Sequence, residues 1–357
     1  MRATVRRPLL AVALTASLGA GLLAGTASAA PAPGSGGASS ESARLSTGIA
    51  AALASAGFGA LVDYDNPGGN GKAKPAAFLP NADVAVIELT ATGRIAGVAN
   101  VLYDRESPKG FRVTVNPTTL STSGVQLSRW RQDRFDDQQL WTAGPAAEDV
   151  LVAAGPSAKK YMTAYPASVL KVLVAYSTLR LVDSGLLSLG SQVRFHDVDG
   201  RSCGAAPSNP TGAVPAPVAD GLTDSVAGWL DQMITVSDNF ATCALLQQIY
   251  DLDQLEAANA HFAAIGLPTL RMYPLQPDVG SGWLSGTMTM GALDTAKLLL
   301  LVNGTPGRLW TSPDGSAVTA DWWVILSPKS KLSTFRFCSA ITPMRDSSWM
   351  APSGRTC

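Results

Sequence analysis

The chain is poor in histidine, in cysteine and in excess charge, and each shortage narrows the functions open to it. His196 and His261 are the only histidines, the 4 cysteines form no Cys-x-x-Cys pair, and 27 basic residues balance 27 acidic ones. We therefore expect no zinc site of ordinary ligand type, no other metal and no cofactor. With a net charge of zero we expect no nucleic-acid or anionic-membrane partner, but a small-molecule substrate selected by a local pocket.

Residues 1–29 have the pattern of a signal peptide. Three arginines precede an apolar stretch over 8–24, and Ala27-Ser28-Ala29 supplies the small residues of a cleavage site. The apolar stretch is short for a membrane span. We expect cleavage and a secreted, extracellular monomer without a membrane span, and a retained N-terminal anchor is the alternative.

The cysteines fit an oxidising, extracellular compartment. Their positions are Cys203, Cys243, Cys338 and Cys357. Four cysteines allow three pairings, among which the sequence does not choose. Proximity along the chain suggests Cys203–Cys243 and Cys338–Cys357.

Composition divides the rest of the chain into three parts. Residues 30–41 are rich in Pro, Gly, Ser and Ala and form a linker. Residues 42–149 hold a helix, the front strands and an insert, and we assign no role to the part of it over 104–148. Residues 150–357 form the catalytic region that the motifs below define.

Apolar patterns predict strands in the front part and helices in the middle. The strands are expected at 84–89, 94–103 and 111–115, with a polar, irregular segment over 118–148. The predicted helices are one after the linker, one from Val169 to Leu181 that Gly185 stops, and three more at 225–234, 239–249 and 289–301.

Ser168 and Lys171 stand three residues apart at the head of a predicted buried helix. Side chains at i and i+3 share a helix face, so the amine can reach the hydroxyl. A lysine activates a serine only when its amine is neutral, and burial favours the neutral form. The backbone N–H groups at the helix N-terminus can in addition bind an oxyanion. The pair predicts a serine nucleophile with a lysine base. An N-cap serine beside a surface lysine is the alternative.

Ser237-Asp238-Asn239 follows an amphipathic stretch over 229–236 and precedes another predicted helix. A hydroxyl in such a loop can relay a proton to a leaving group, and an asparagine amide can bind a substrate carbonyl. Because Ser, Asp and Asn are also preferred N-cap residues, a capping cluster is the alternative. The occurrence of both motifs in this order favours the catalytic interpretation.

The two motifs resemble those of class A β-lactamases and related penicillin-binding proteins, and the likeness extends over about residues 150–305. It implies an α/β fold of the α+β type, β-lactamase/transpeptidase-like, with an antiparallel sheet flanked by helices plus an all-helical subdomain. By this resemblance Ser168 is the acylated nucleophile and Lys171 its proton partner. Ser237 is then the proton shuttle, and Asn239 binds the substrate amide.

The chain departs from class A enzymes in the loop that serves deacylation. Those enzymes have a glutamate that activates water and an asparagine four residues later, whereas the similar segment 271–280 has Gln276 and Gly280 there. Gln276 is retained as a substrate-binding residue, but glutamine accepts no proton. Unless Asp278 replaces the glutamate, hydrolysis of the acyl-enzyme is expected to be slow. We predict covalent trapping of penicillins, not efficient turnover.

The Lys-Thr-Gly motif that this family carries on a late strand is not found. The nearest match downstream of Asn239 is Lys329-Ser330, where Lys331 takes the place of the glycine. We expect the catalytic region to stop short of the last strands and the final helix of the family.

The sequence thus predicts a β-lactamase-like serine hydrolase with impaired deacylation, acting on a β-lactam or a peptidoglycan-like substrate. A D-alanyl-D-alanine peptidase or esterase is one alternative, and a catalytically inactive protein that binds peptidoglycan or β-lactams is another. A Ser-His-Asp hydrolase is disfavoured, because neither histidine has a Gly-x-Ser-x-Gly partner.

Overall fold

The computed structural model describes residues 9–14, 37–63, 74–75, 79–130, 149–195, 221–273, 288–303 and 308–319. These residues fall into two compact units whose segments alternate along the chain. The first unit draws on Met1–Ala164, Phe262–Leu270 and Met290–Trp322, and the second on Tyr165–His261 and Arg271–Thr289. Over the described ranges, every helix is too short or too polar to cross a bilayer.

Strands and helices are numbered along the chain. The strands are β1 (Leu9–Leu14), β2 (Val62–Asp63), β3 (Lys74–Pro75), β4 (Ala82–Leu89), β5 (Ile95–Asp104), β6 (Ser107–Val115), β7 (Thr122–Ser123), β8 (Val125–Ser128), β9 (Val150–Val152), β10 (Lys159–Met162), β11 (Gln192–Arg194), β12 (Thr223–Ser225), β13 (Arg271–Met272), β14 (Met288–Thr289), β15 (Arg308–Thr311) and β16 (Ala317–Thr319). The helices are α1 (Gly37–Ser55), α2 (Leu170–Asp183), α3 (Val226–Thr235), α4 (Asn239–Asp251), α5 (Leu255–Ala264) and α6 (Ala292–Val302).

The first unit is built on an antiparallel sheet in the order β1-β4-β5-β6-β7. The predicted strands over 84–89, 94–103 and 111–115 are confirmed as β4, β5 and β6. Helix α1 packs on β5 and β6, and its Ala50 and Leu53 join Phe58, Val101 and Tyr103 in one apolar cluster. Burial of these side chains is the main force that holds the helix on the sheet.

The backbone of β1 pairs with β4 in antiparallel register, from Leu9 opposite Glu88 to Leu14 opposite Asp83. This strand lies inside the segment that the sequence identifies as a signal peptide. In the uncleaved chain the segment therefore covers the β4 edge of the sheet, and its cleavage stays a prediction.

A second, three-stranded sheet has the order β10-β8-β9, with β10 parallel to β8. The prediction that 118–148 is irregular is therefore wrong for 122–128, which form β7 and β8. These strands are only two and four residues long, too short for a periodic signal, and Gly124 separates them in a left-handed conformation with φ 75°. The partners of β8, which are β9 and β10, both come more than twenty residues later, which local patterns do not reveal.

A buried carboxylate ties helix α6 to the sheet of the first unit. Asp83 accepts hydrogen bonds from the Asn100 amide at 2.6 Å and from the Ala292 backbone N–H at 2.8 Å. Ala292 is the first residue of α6, so the carboxylate meets the positive end of the helix dipole. Burial, countered by these hydrogen bonds, raises the pKa of Asp83 to about 6.

The second unit is helical apart from the two-stranded pairs β11–β12 and β13–β14. Helices α2, α3 and α4 pack on one another, and the Trp229 indole N–H donates to the Val193 carbonyl at 2.9 Å, which joins α3 to β11. The predicted helices are confirmed, except that the one expected from residue 289 begins at Ala292, because Thr289 belongs to β14, which pairs with β13. The stop at Gly185 is confirmed by its left-handed φ of 77° just after α2.

Candidate active site

Ser168 lies in a tight turn directly before α2. Pro166 precedes a 3₁₀ turn over Ala167–Val169, and Ala167 has a φ of 45°, a left-handed conformation that costs free energy for a residue with a Cβ. Ser168 is exposed, so its hydroxyl is open to a substrate. The Val169 N–H, one of the groups predicted to hold an oxyanion, already donates to the Pro166 carbonyl at 3.1 Å.

Lys171 lies in the first turn of α2 with only 3% of its surface exposed. Its amine is 3.0 Å from the Ser168 hydroxyl oxygen, 3.0 Å from the Ser237 hydroxyl oxygen and 2.9 Å from the Asn239 side-chain oxygen. The structure thus brings together the four residues of the two motifs, with a buried amine beneath two exposed serines. Their catalytic roles stay predictions.

Ser237 belongs to the connection between α3 and α4. Its φ of 59° is left-handed, and the backbone N–H groups on either side, of Val236 and Asp238, both donate to the Gln232 carbonyl, at 3.3 and 3.1 Å. The Asp238 carboxylate accepts from the Ala241 N–H at 2.7 Å and caps α4. The capping interpretation of this motif is therefore correct for Asp238, whereas the side-chain oxygens of Ser237 and Asn239 contact the Lys171 amine.

The charge on Lys171 is disfavoured where it lies. Burial lowers the pKa of its amine to about 8, and the negative charge of Asp238 opposes that shift. About a tenth of the molecules therefore hold a neutral amine at pH 7. A neutral lysine amine is what a serine needs from its base.

The three contacts of Lys171 also determine the direction of one hydrogen bond. A neutral amine has two N–H bonds and one lone pair. The Asn239 oxygen can only accept, so with three partners within 3.0 Å at least one serine hydroxyl must donate to the lone pair. That hydrogen bond prepares a serine for deprotonation.

His261 belongs to a separate cluster. Its ring nitrogen lies 3.2 Å from the Tyr176 hydroxyl, and burial together with the positive charge of Arg180 lowers its pKa to about 4. It therefore stays neutral at physiological pH. His196, Gln276, Asp278, Gly280 and the Lys329–Lys331 segment lie outside the described residues.

Cys243 is completely buried in α4 and is disulfide-bonded. Cys203, Cys338 and Cys357 lie outside the described residues. The pairing suggested from the sequence therefore stays a prediction.

Sequence reasoning missed the residues that hold the Ser237 loop. The Gln232 side-chain amide donates to Asp224 at 2.9 Å, while its carbonyl accepts from both sides of Ser237. Asp224 also accepts from the Ser225 N–H at 2.7 Å, next to the N-cap of α3. A glutamine late in an amphipathic helix gives no sequence signal of such a role.

Residues 157–304 match a family model described as the Beta-lactamase enzyme family. This segment contains Ser168, Lys171 and the Ser237–Asn239 loop. The resemblance to β-lactamases is therefore confirmed over this segment. The helices and antiparallel sheets of the described residues agree with the α+β fold class that the resemblance implies. No curated protein matches the chain in sequence.

Solved structures of penicillin-binding proteins and of a β-lactamase align with parts of the chain. Penicillin-binding protein 6B from Escherichia coli is 22% identical over 39% of this chain and 42% of that chain, with a TM-score of 0.30. An ancestral class A β-lactamase is 24% identical over 39% and 50%, with a TM-score of 0.27. Penicillin-binding protein D2 from Listeria monocytogenes, solved with cefotaxime bound, is 19% identical over 46% and 64%, with a TM-score of 0.26. The chain spans less than two thirds of each.

Proposed function

We propose that this protein is a secreted serine hydrolase that forms an acyl-enzyme at Ser168 with β-lactams or related amides and esters. The observation that carries the proposal is the buried Lys171 amine, 3.0 Å from both the Ser168 and the Ser237 hydroxyl. The β-lactamase family match of residues 157–304 supports an acyl-serine mechanism as the kind of chemistry.

Acylation follows from the positions of three side chains. The Ser168 oxygen attacks the substrate carbonyl carbon while its proton passes to the neutral Lys171 amine. Ser237 contacts the same amine at 3.0 Å and so provides a route for that proton to the leaving nitrogen or oxygen as the C–N or C–O bond breaks. The products are an ester at Ser168 and a protonated leaving group, and Lys171 is neutral again.

Asn239 has two roles in this proposal. Its side-chain oxygen accepts from Lys171 at 2.9 Å, which occupies one N–H of the amine. Its NH₂ group remains a donor that suits a substrate carbonyl oxygen.

The acyl-enzyme is proposed to be long-lived. Gln276, in the position where similar class A enzymes have a glutamate, cannot remove a proton from water. Penicillin is therefore held as an ester and not released quickly. A D-alanyl-D-alanine peptidase or esterase shares the acylation step, so the two activities differ in the substrate and not in the roles of Ser168 and Lys171.

Secretion is part of the proposal. It is supported by the signal-peptide pattern of residues 1–29 and by the disulfide bond at Cys243, since disulfides persist in oxidising compartments.

Labelling with a fluorescent penicillin tests the proposal. The wild-type protein should carry the label through denaturing electrophoresis, and Ser168→Ala should carry none. Lys171→Met should label about 10²- to 10⁴-fold more slowly, the usual worth of a general base. Ser188→Ala, the same change at another exposed serine of this unit, is the control and should label normally.

Two results would contradict the proposal in different ways. Full labelling of Ser168→Ala would refute Ser168 as the nucleophile. Rapid multiple-turnover hydrolysis of penicillin by the wild-type protein would leave the nucleophile intact but refute slow deacylation.

A further inference from the structure

Val236 is an apolar residue that is exposed to solvent and stands next to Ser237 in the chain. Large apolar residues that are exposed in the described part of the chain are Leu186, Leu222, Val236 and Tyr250. With 71% of its surface exposed, Val236 is the most exposed of the four, and it directly precedes Ser237. Isolated exposed apolar residues are common, but Val236 differs from the other three in directly preceding a residue that contacts Lys171.

The backbone at Val236 is fixed on both sides. Its own N–H and that of Asp238 donate to one carbonyl, that of Gln232, whose side chain is in turn bound to Asp224 at 2.9 Å. Valine is branched at Cβ and has few rotamers. A contact with this side chain therefore costs little conformational entropy.

Adjacency to Ser237 indicates which part of a substrate Val236 meets. Ser237 shares the Lys171 amine with Ser168 and, in the proposed function, delivers the proton to the leaving group. Consecutive Cα atoms are about 3.8 Å apart, so Val236 stands one residue from the hydroxyl that delivers this proton. Its side chain is exposed, so a substituent on the leaving group can reach it.

We infer that Val236 determines specificity for the leaving group, selecting substrates whose leaving group carries an apolar substituent. This inference rests on the proposed function. In the step concerned, the bond from Ser168 Oγ to the acyl carbon forms and the bond from that carbon to the leaving oxygen or nitrogen breaks. The Ser168 proton ends on the leaving atom, so no other reactant is required.

Two ester substrates with the same acyl group test the inference. Both carry an N-acylglycyl group, and the alcohol that leaves is glycolate in one and 2-hydroxy-4-methylpentanoate in the other. The rate of the first, stoichiometric burst of hydroxy acid reports acylation alone, whatever the deacylation rate. The wild-type protein should acylate faster with the branched substrate by about threefold to tenfold, the scale expected for partial burial of a few CH₂ groups.

Val236→Thr keeps the shape of the side chain and replaces one methyl group by a hydroxyl. It should reduce the preference to below about twofold, while the burst rate with the glycolate ester is unchanged. Leu222→Thr, at an exposed apolar residue before β12, should keep the wild-type preference. Fluorescent penicillin should label Ser168 in all three proteins.

The other outcomes contradict either the role of Val236 alone or the proposed function as well. Equal rates with the two esters in the wild-type protein, or an unchanged preference in Val236→Thr, overturn the role of Val236 while penicillin labelling upholds the proposed function. Absence of both ester acylation and penicillin labelling in the wild-type protein overturns the proposed function and this inference together.

Discussion

At the scale of the residue, the site depends on a buried lysine, Lys171, and on two backbone positions in a strained conformation. Ala167 and Ser237 have φ values of 45° and 59°, and each stands in one of the two turns that reach Lys171. Left-handed conformations in residues with a Cβ cost about 1 kcal/mol or more, and such strain accumulates where function requires a particular geometry.

Ala167→Gly should stabilise the protein, because glycine adopts a positive φ without strain. We expect the free energy of unfolding to rise by about 0.5–1 kcal/mol, since the relief exceeds the entropy that glycine gains in the unfolded chain. Ala51→Gly at an exposed position within α1 is the matched control and should lower it by about 1 kcal/mol. Denaturant titration measures both, and a loss of stability in Ala167→Gly would contradict the strain.

The Ser168–Lys171 contact was predictable from the sequence because it is local. Three residues at the start of a helix fix which side chains meet, and the structure has the two atoms 3.0 Å apart. The approach of Ser237, 66 residues further along, came only from the resemblance to a family. The left-handed Ala167 and the Gln232 anchor were not predictable, since each depends on backbone that other segments hold in place.

At the scale of the element, helix starts were easier to predict than short strands. Ser225 caps α3 by accepting from the Gly228 N–H at 3.0 Å, and Asp238 caps α4, as their residue types favour. The pairing of β8 with β10 is parallel, involves four residues a strand and joins distant segments. Neither alternation nor a turn motif marks such a pairing in the sequence.

The junction between α6 and the sheet should depend on pH. The folded-state pKa of Asp83 is about 6, above its ordinary value of 3.8, so the folded state binds this proton more tightly than the unfolded state. Its contribution to stability is therefore largest below about pH 4 and declines as the pH rises to about 6. Other carboxyl groups also make the free energy of unfolding depend on pH. Their contributions are the same in the wild-type protein and in a variant at position 83.

Asp83→Asn removes this titration and isolates its effect. The unfolding free energy of the wild-type protein minus that of Asp83→Asn should fall by about 2 kcal/mol between pH 4 and pH 6.5. Denaturant titrations of both proteins across this range supply the difference. A difference that is constant, or that grows with pH, would show that Asp83 does not titrate as its burial implies.

At the scale of the whole molecule, we expect a protein that is cleaved after its signal peptide and holds its cysteines in disulfides. The strand β1 lies in the proposed signal peptide and covers the β4 edge before cleavage, and Cys243 is disulfide-bonded. Cleavage would leave the backbone groups of β4 on that side without β1 as their partner.

Intact mass and N-terminal sequencing of the protein secreted from a bacterial host test this processing. We expect a mature chain that begins at Ala30, after Ala27-Ser28-Ala29. Because its cysteines are expected to be in disulfides, thiol alkylation should increase the mass of this chain only after a reductant has been added. Recovery of a cell-bound chain that starts at Met1 would contradict cleavage and would make β1 a permanent part of the sheet.

The central claim is that a neutral Lys171 amine takes the proton of Ser168, and the pH dependence of the acylation rate tests it most directly. With the pKa of Lys171 lowered to about 8, the rate of penicillin labelling should rise with pH, reach half its maximum near pH 8 and then level off. Asp238→Asn keeps a residue suited to cap α4 but removes the charge that raises this pKa, so the midpoint should move to lower pH. A rate that does not change between pH 6 and 9.5, or a Lys171→Met variant with the wild-type rate and midpoint, would contradict the account.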